Sequence, residues 1–195
     1  MKTLRIATLA LVIALPPLLQ GCFPLIAVGA GAGVLVATDR RTSGTYLEDE
    51  GIEVRAGSRI SDKYKDRTHI NLASFNRTVL LTGEAPTAEI KADIEKLVGE
   101  VPNVRSVANE IQIAGISSLT ARGNDSFITS KVKARFIDVG KFSANHVKVI
   151  TEAGTVYLLG LVTRQEADDA VEVARTTGGV AKVVKLFEYV AAAPK

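Results

Sequence analysis

The sequence predicts an α+β fold built from two tandem copies of one α-β-β-α-β domain. A repeat at fixed offset, a hydrophobic pattern that switches between helical and strand periods, and turn residues at matching places all point to it. Thr78-Val-Leu-Leu-Thr-Gly83 matches Thr155-Val-Tyr-Leu-Leu-Gly160 at an offset of 77. The same offset carries His69 onto His146 and Glu89 onto Glu166. After one deletion Pro102-Asn-Val104 falls on Gly178-Gly-Val180, and Val107 on Val183. Two copies of this length are a domain pair; a solenoid needs more copies of a shorter unit.

The chain opens with a basic head (Lys2, Arg5) and an apolar run, Ile6 to Leu15, that resumes at Leu18-Leu19 after Pro16-Pro17. A membrane-spanning helix needs about 20 apolar residues, so this run has the length of a signal-peptide core. It ends in Leu19-Gln20-Gly21-Cys22, which resembles the bacterial lipobox. Residues 1–21 therefore read as a cleaved signal, with Cys22 diacylated and left as the new N-terminus. Cys22 is the only cysteine, so no intramolecular disulfide can form. Residues 22–45, small and Gly-rich before turning polar at Asp39, read as a lipidated tether. Gly29-x-Gly31-x-Gly33 lacks the preceding strand and the downstream acid of a nucleotide-binding loop.

The first domain is assigned to 46–113. Its expected elements are a helix over 48–61, strands over 70–74 and 79–83, a helix over 87–99 and a strand over 104–113. The second is assigned to 118–190. There Asn124-Asp125 offers an N-cap, and Ile128, Val132 and Phe136 keep helical spacing to about Asp138. Residues 146–151 alternate as a half-buried strand, Glu152-Ala-Gly154 turns, and 155–161 returns. Thr163 with Glu166 forms a capping box for a helix to Arg175, Gly178-Gly179 stops it, and 180–189 is the last strand. Each copy then has a three-stranded mixed sheet with two helices on one face. Gly83 and Gly160 read as structural, at the end of the central strand where a side chain would obstruct the turn or helix packing.

No catalytic constellation is present. The two histidines sit at equivalent strand starts of separate domains and read as exposed, and Glu89 and Glu166 fit first-turn capping roles. No metal-ligand motif and no cofactor site is expected, and the reading is non-enzymatic. The net charge of +3 is too small to indicate nucleic-acid binding. Its distribution says more: 46–113 holds nine Lys/Arg and twelve Asp/Glu, whereas 114–195 holds eleven and eight. The first domain is acidic and the second basic by three charges each.

The α-β-β-α-β order, the Val-x-Leu-x-Gly strands ending at Gly83 and Gly160, and the short Gly/Pro-x-Val turn before each last strand resemble the BON domain. Two such units behind a lipobox, with Ala37–Thr45 in the tether and Asn124-Asp-Ser-Phe-Ile-Thr-Ser-Lys-Val132 opening the second, resemble the dual-BON outer-membrane lipoproteins. The resemblance implies a lipid-anchored protein on the periplasmic face of the outer membrane. It further implies binding to anionic phospholipid, chiefly phosphatidylglycerol with cardiolipin beside it, through the first helix of the second unit. A role in envelope integrity at the division site and a link to the β-barrel assembly machinery are also implied. Position +2 of the mature chain is Phe23, not the Asp that retains lipoproteins at the inner membrane. The family's tryptophan is Phe127 here, which keeps the apolar bulk but lacks the indole's preference for the membrane interface.

The residues of that helix fit the same use. With Phe127 at 0° and about 100° per residue, Ser130, Ala134 and Ile137 fall near 300°, 340° and 280°, off the Ile128–Val132–Phe136 stripe. Lys131 and Lys133 flank this second face, with Lys141 just beyond the helix. An apolar face edged by lysines suits a membrane surface. Packing against the first repeat is the structural alternative for this face. The functional alternative is a periplasmic interaction scaffold, in which the Phe127 face docks a protein.

Because no segment outside the signal is long enough to span a bilayer, Cys22→Ser should leave an unlipidated precursor or a soluble periplasmic protein. Membrane fractionation checks this. Retention of the variant with integral proteins after carbonate washing would rule the lipobox out.

Overall fold

A computed structural model describes residues 39–191. Cys22, the signal and most of the tether lie outside the described residues. The first domain contains α1 (Ser43–Tyr64), β1 (His69–Phe75), β2 (Thr78–Ala85), α2 (Ala88–Gly99), β3 (Ser106–Asn109) and β4 (Gln112–Ile113). The second contains α3 (Leu119–Val139), β5 (Val147–Glu152), β6 (Thr155–Val162), α4 (Arg164–Arg175) and β7 (Lys182–Tyr189). In each domain the central strand, β2 or β6, pairs antiparallel with its hairpin partner and parallel with the strand after the crossover helix. The α-β-β-α-β order and mixed sheet are those the periodicity predicts.

Both helices of each domain cover one face of its sheet. In the first, Ile52, Ala56 and Ile60 of α1 and Ile94 and Val98 of α2 pack with Val79 and Leu81. In the second, Ile128, Val132 and Phe136 of α3 and Ala170, Val173 and Ala174 of α4 pack with Val156 and Leu158. The opposite sheet faces pack on each other. Phe75 and Leu80 of one domain and Tyr157 and Leu159 of the other form a third cluster, flanked by Ile150, Leu161 and Leu186. Burial there pushes the Tyr157 hydroxyl up to about 12, so it stays neutral. Polar contacts ring the cluster. Lys148 donates to Glu53 (2.7 Å) and to the Ser74 carbonyl (3.2 Å), Asn71 to Glu152 (2.7 Å), and Asn76 to Glu188 (3.0 Å).

Several boundaries move. α3 begins at Leu119 with Ser118 as its N-cap, not at Asn124-Asp125. Asp125 is mid-helix and buried, and its carboxylate accepts from the backbone N–H of Ala153 and Gly154, both at 2.9 Å. A local capping preference has yielded to a tertiary bond. Asp49 of α1 repeats the arrangement, accepting from Asn76 N–H (2.8 Å) and Arg77 N–H (2.7 Å). Both hairpins turn through two residues at positive φ, Asn76-Arg77 (50° and 63°) and Ala153-Gly154 (47° and 73°). This mirror-image turn follows the twist of the strands but is unfavourable for Arg and Ala, and the buried carboxylate holds it in place.

The last strand of the first domain, expected unbroken over 104–113, is split into β3 and β4 because Ile111 turns into the core and interrupts the ladder. The chain also folds earlier than the tether reading has it. α1 starts at Ser43, and Asp39–Arg41 pack on the domains through the ion pairs of Arg40 with Glu166 and Arg41 with Asp49.

Gly83 and Gly160 lie within β2 and β6, and what excludes a side chain is the neighbouring backbone, at the start of β1 or in the 3-10 turn that leads into β5. A Cβ on Gly83 would stand 2.0 Å from the His69 carbonyl oxygen, and one on Gly160 would stand 2.4 Å from that of His146. Gly83 adds a φ of 101°, which L-residues rarely adopt. Gly83→Ala should therefore destabilise by more than about 2 kcal/mol and by more than Gly160→Ala, read from urea unfolding midpoints. Equal, small losses would mean that the strands part at little cost.

Candidate lipid-contact site

The buried stripe of α3 is complete without Phe127, which is 62% exposed, as is Ile137 at 69%. Ser130 and Ala134 are exposed between them. The two sheets occupy the interdomain surface, so the Phe127 face does not pack against the first repeat. Because α3 starts six residues earlier than the sequence reading placed it, Leu119, 79% exposed, and Gly123 extend the same ridge. Leu119 shares the helical angle of Ile137, about 280°. An N-cap assigned at Ser118 would have found it.

The lysines divide. The Lys131 ammonium lies over the Phe127 ring, 4.8 Å from its centroid, and donates to the Gly178 carbonyl. Lys133 is exposed with no carboxylate partner among the described residues. Lys141 is drawn away to Asp169 at 2.9 Å, holding that carboxyl below its usual value. The cationic edge thus consists of Lys131 and Lys133. Ser130 donates to the Ser126 carbonyl (3.0 Å), so its hydroxyl is already satisfied.

The equivalent helix of the first repeat carries a shorter apolar pair on this face, edged by acids in place of lysines. Asp49 and Asp125 fix the correspondence, since each clasps its own hairpin turn. Gly51 then stands where the second repeat has Phe127, and Ser61 where it has Ile137. Leu47 and Val54 are exposed on α1, but Glu48 and Glu50 lie beside them.

Neither histidine is freely exposed, contrary to the sequence reading. His69 Nδ1 lies 3.1 Å from Glu84, its cross-strand partner, and His146 Nδ1 lies 3.4 Å from Glu166. Glu166 also completes the Thr163 capping box and takes both Nη atoms of Arg40, at 2.6 and 3.0 Å. Burial pushes the Glu166 carboxyl up, but hydrogen bonds from Arg40 and from Thr163 outweigh it and hold the group at about 2. Among the described residues no helix is long and apolar enough to cross a membrane.

Residues 48–115 and 124–191 each match the BON domain. The chain belongs to the BON family. It is 35% identical to the outer membrane lipoprotein DolP of Haemophilus influenzae, over 93% of this chain and 95% of that protein. It is 36% identical to the 21 kDa hemolysin of Actinobacillus pleuropneumoniae, over 78% of this chain and 79% of the relative. Identity to the osmotically-inducible protein Y of Escherichia coli is 26%, over 78% of each. None of these BON relatives carries the name of an enzyme.

Arg40 joins the start of the fold to the second BON domain through Glu166, and the depressed carboxyl sets a pH window. The stabilisation is complete above 4.5, the ordinary value, and is lost as pH falls toward 2. Arg40→Ala should cost about 1 kcal/mol at neutral pH, since the pair is partly exposed. Urea unfolding across pH should show this deficit shrinking between 4.5 and 2. A constant deficit would credit the Arg40 bond to the Leu161 carbonyl instead (2.9 Å).

Proposed function

We propose that the chain is a non-catalytic outer-membrane lipoprotein, anchored through Cys22, whose second BON domain contacts anionic phospholipid through the exposed α3 ridge. The lipid is phosphatidylglycerol above all, with cardiolipin as a second, and the role is to support outer-membrane integrity at the division site. The relationship to the outer membrane lipoprotein DolP supports the location. One observation carries the lipid reading: Leu119, Phe127 and Ile137 stay in solvent although α3 already buries a full core stripe. An apolar ridge beside Lys131 and Lys133 fits an anionic membrane surface.

Magnitudes suit a sensor on an anchor. Acyl chains contribute about 0.8 kcal/mol per buried CH₂, so Cys22 alone would secure attachment. Phe127 adds roughly 1.5–3 kcal/mol and each nearby lysine about 1 kcal/mol. Such contact is too weak to hold a free protein, yet on a tether the encounter is intramolecular. The anchor keeps the protein on the membrane, and the ridge responds to lipid composition. Contact with the β-barrel assembly machinery belongs to the same reading, the protein sitting where that machinery works.

Phe127→Glu should change stability by less than about 0.5 kcal/mol, as an exposed substitution does. It should weaken binding to phosphatidylglycerol vesicles by at least about tenfold, equivalent to about 1.4 kcal/mol. Phe127→Trp should strengthen binding, because the indole suits the interface. A folded Phe127→Glu protein that binds these vesicles normally would overturn the lipid reading and favour a protein-docking scaffold.

A further inference from the structure

The seam between the two sheets has an apolar end and an acidic one. By the repeat offset, Phe75 and Leu161 occupy the positions equivalent to Glu152 and Glu84. Phe75 and Leu161 belong to the apolar cluster between the sheets. Glu84 and Glu152 are instead two buried carboxylates, 6% and 2% exposed, brought together from different domains. His69 stands with them: one ligand atom from each of the three residues lies within 4.8 Å of the others.

Two carboxylates and an imidazole gathered this closely in a buried place form a donor set that favours a shared cation. The donors present are neutral. Asn71 and Thr82 donate to Oε2 of Glu152 (2.7 and 3.3 Å), and the backbone and hydroxyl of Ser117 to Oε2 of Glu84 (both 3.3 Å). These bonds all land on Oε2 atoms and orient both carboxylates without neutralising them. Hydrogen-bonded acids around an imidazole are how proteins hold a divalent metal with their outer groups in place.

His69 and Glu152 also line an open cleft of about 440 Å³ between the domains. Arg122 and Lys133 line it too, and the buried Nε of Arg122 has no hydrogen-bond partner. A three-ligand site beside such a cleft has room for a fourth ligand, water or an anion, with Arg122 at hand for the latter.

We propose that His69, Glu84 and Glu152 form a divalent transition-metal site, with zinc the best match, that ties the two domains together. One nitrogen and two carboxylate oxygens suit Zn²⁺, and the arrangement is particular to this end of the seam. Zinc would neutralise the buried acids and link β1 and β2 of one domain to β5 of the other. None of the three ligands lies on the α3 ridge, although Lys133 borders both, and the metal does not depend on the ridge's lipid chemistry.

The test uses the purified protein without a histidine tag, stripped with chelator and titrated with zinc chloride. One equivalent should bind and raise the melting temperature. Glu152→Gln and His69→Gln should each weaken binding by at least about tenfold, while Asp169→Asn, outside the cluster, should leave it unchanged. Ring nitrogen NMR provides a readout that needs no variant: zinc should move the His69 signals and leave those of His146, its counterpart in the repeat. Absence of binding, binding that survives both substitutions, or a shift at His146 rather than His69 would overturn the site.

Discussion

The packing of the two sheets face to face is the constraint on which the rest depends. A sheet of three or four strands covered by helices on one face still has an apolar face to hide. Here each domain hides the other's, through Leu80 and Phe75 against Tyr157 and Leu159. This is why β6 reads as an almost unbroken hydrophobic run and why β2 is buried along nearly its whole length, since both faces of each are covered. It also decides what is left outside. With the sheet faces paired and the core stripe of α3 filled, the ridge from Leu119 to Ile137 has no partner within the described residues. An unpaired apolar ridge on an otherwise satisfied fold marks a surface for something else.

The buried aspartates act one level below. Asp49 and Asp125 fasten the first helix of each domain to the hairpin beneath it by accepting two backbone N–H groups apiece. In the first domain Arg41 adds a guanidinium to Asp49 (2.8 Å) and lies over Phe75, 4.1 Å from the ring centroid. That cation ties the chain ahead of α1 to the helix, the turn and the edge of the interdomain cluster. Its neighbour Arg40 reaches the second domain. Two consecutive arginines thus fasten the point of entry to both domains.

Much of this was legible because it is local. The hydrophobic periods give every helix and the pairing of strands, and the Thr163–Glu166 capping box forms as its spacing indicates. The exposure of Phe127 follows from Ile128, Val132 and Phe136 already making a complete stripe. What escaped depends on partners distant in sequence. Asn and Asp at 124–125 carry a strong capping preference, and only the turn at Ala153-Gly154 explains why Asp125 is mid-helix. Pairing of His69 with Glu84 was within reach, because a two-residue turn at Asn76-Arg77 sets them opposite each other. The approach of Glu152 was not, since no pattern in one repeat reports how it meets the other. Lys141 appeared to edge the ridge until Asp169 of α4 claimed it.

Duplication lets one copy specialise while the other carries structure. Both first helices keep the inward stripe, Ile52–Ala56–Ile60 and Ile128–Val132–Phe136, and both keep the clasping aspartate. They differ on the outward face, where Gly51 and Ser61 stand against Phe127 and Ile137, and Leu47 and Val54 against Gly123 and Ser130. A side chain there leaves the core untouched, so an outward position can change without loss of fold. Charge follows the same division: the first repeat is acidic by three and the second basic by three. If the two copies served the membrane equally, neither the ridge nor the charge would segregate. Their concentration on one domain, with the other bound behind it through the sheets, supports the proposal that the second repeat is the one that meets the membrane.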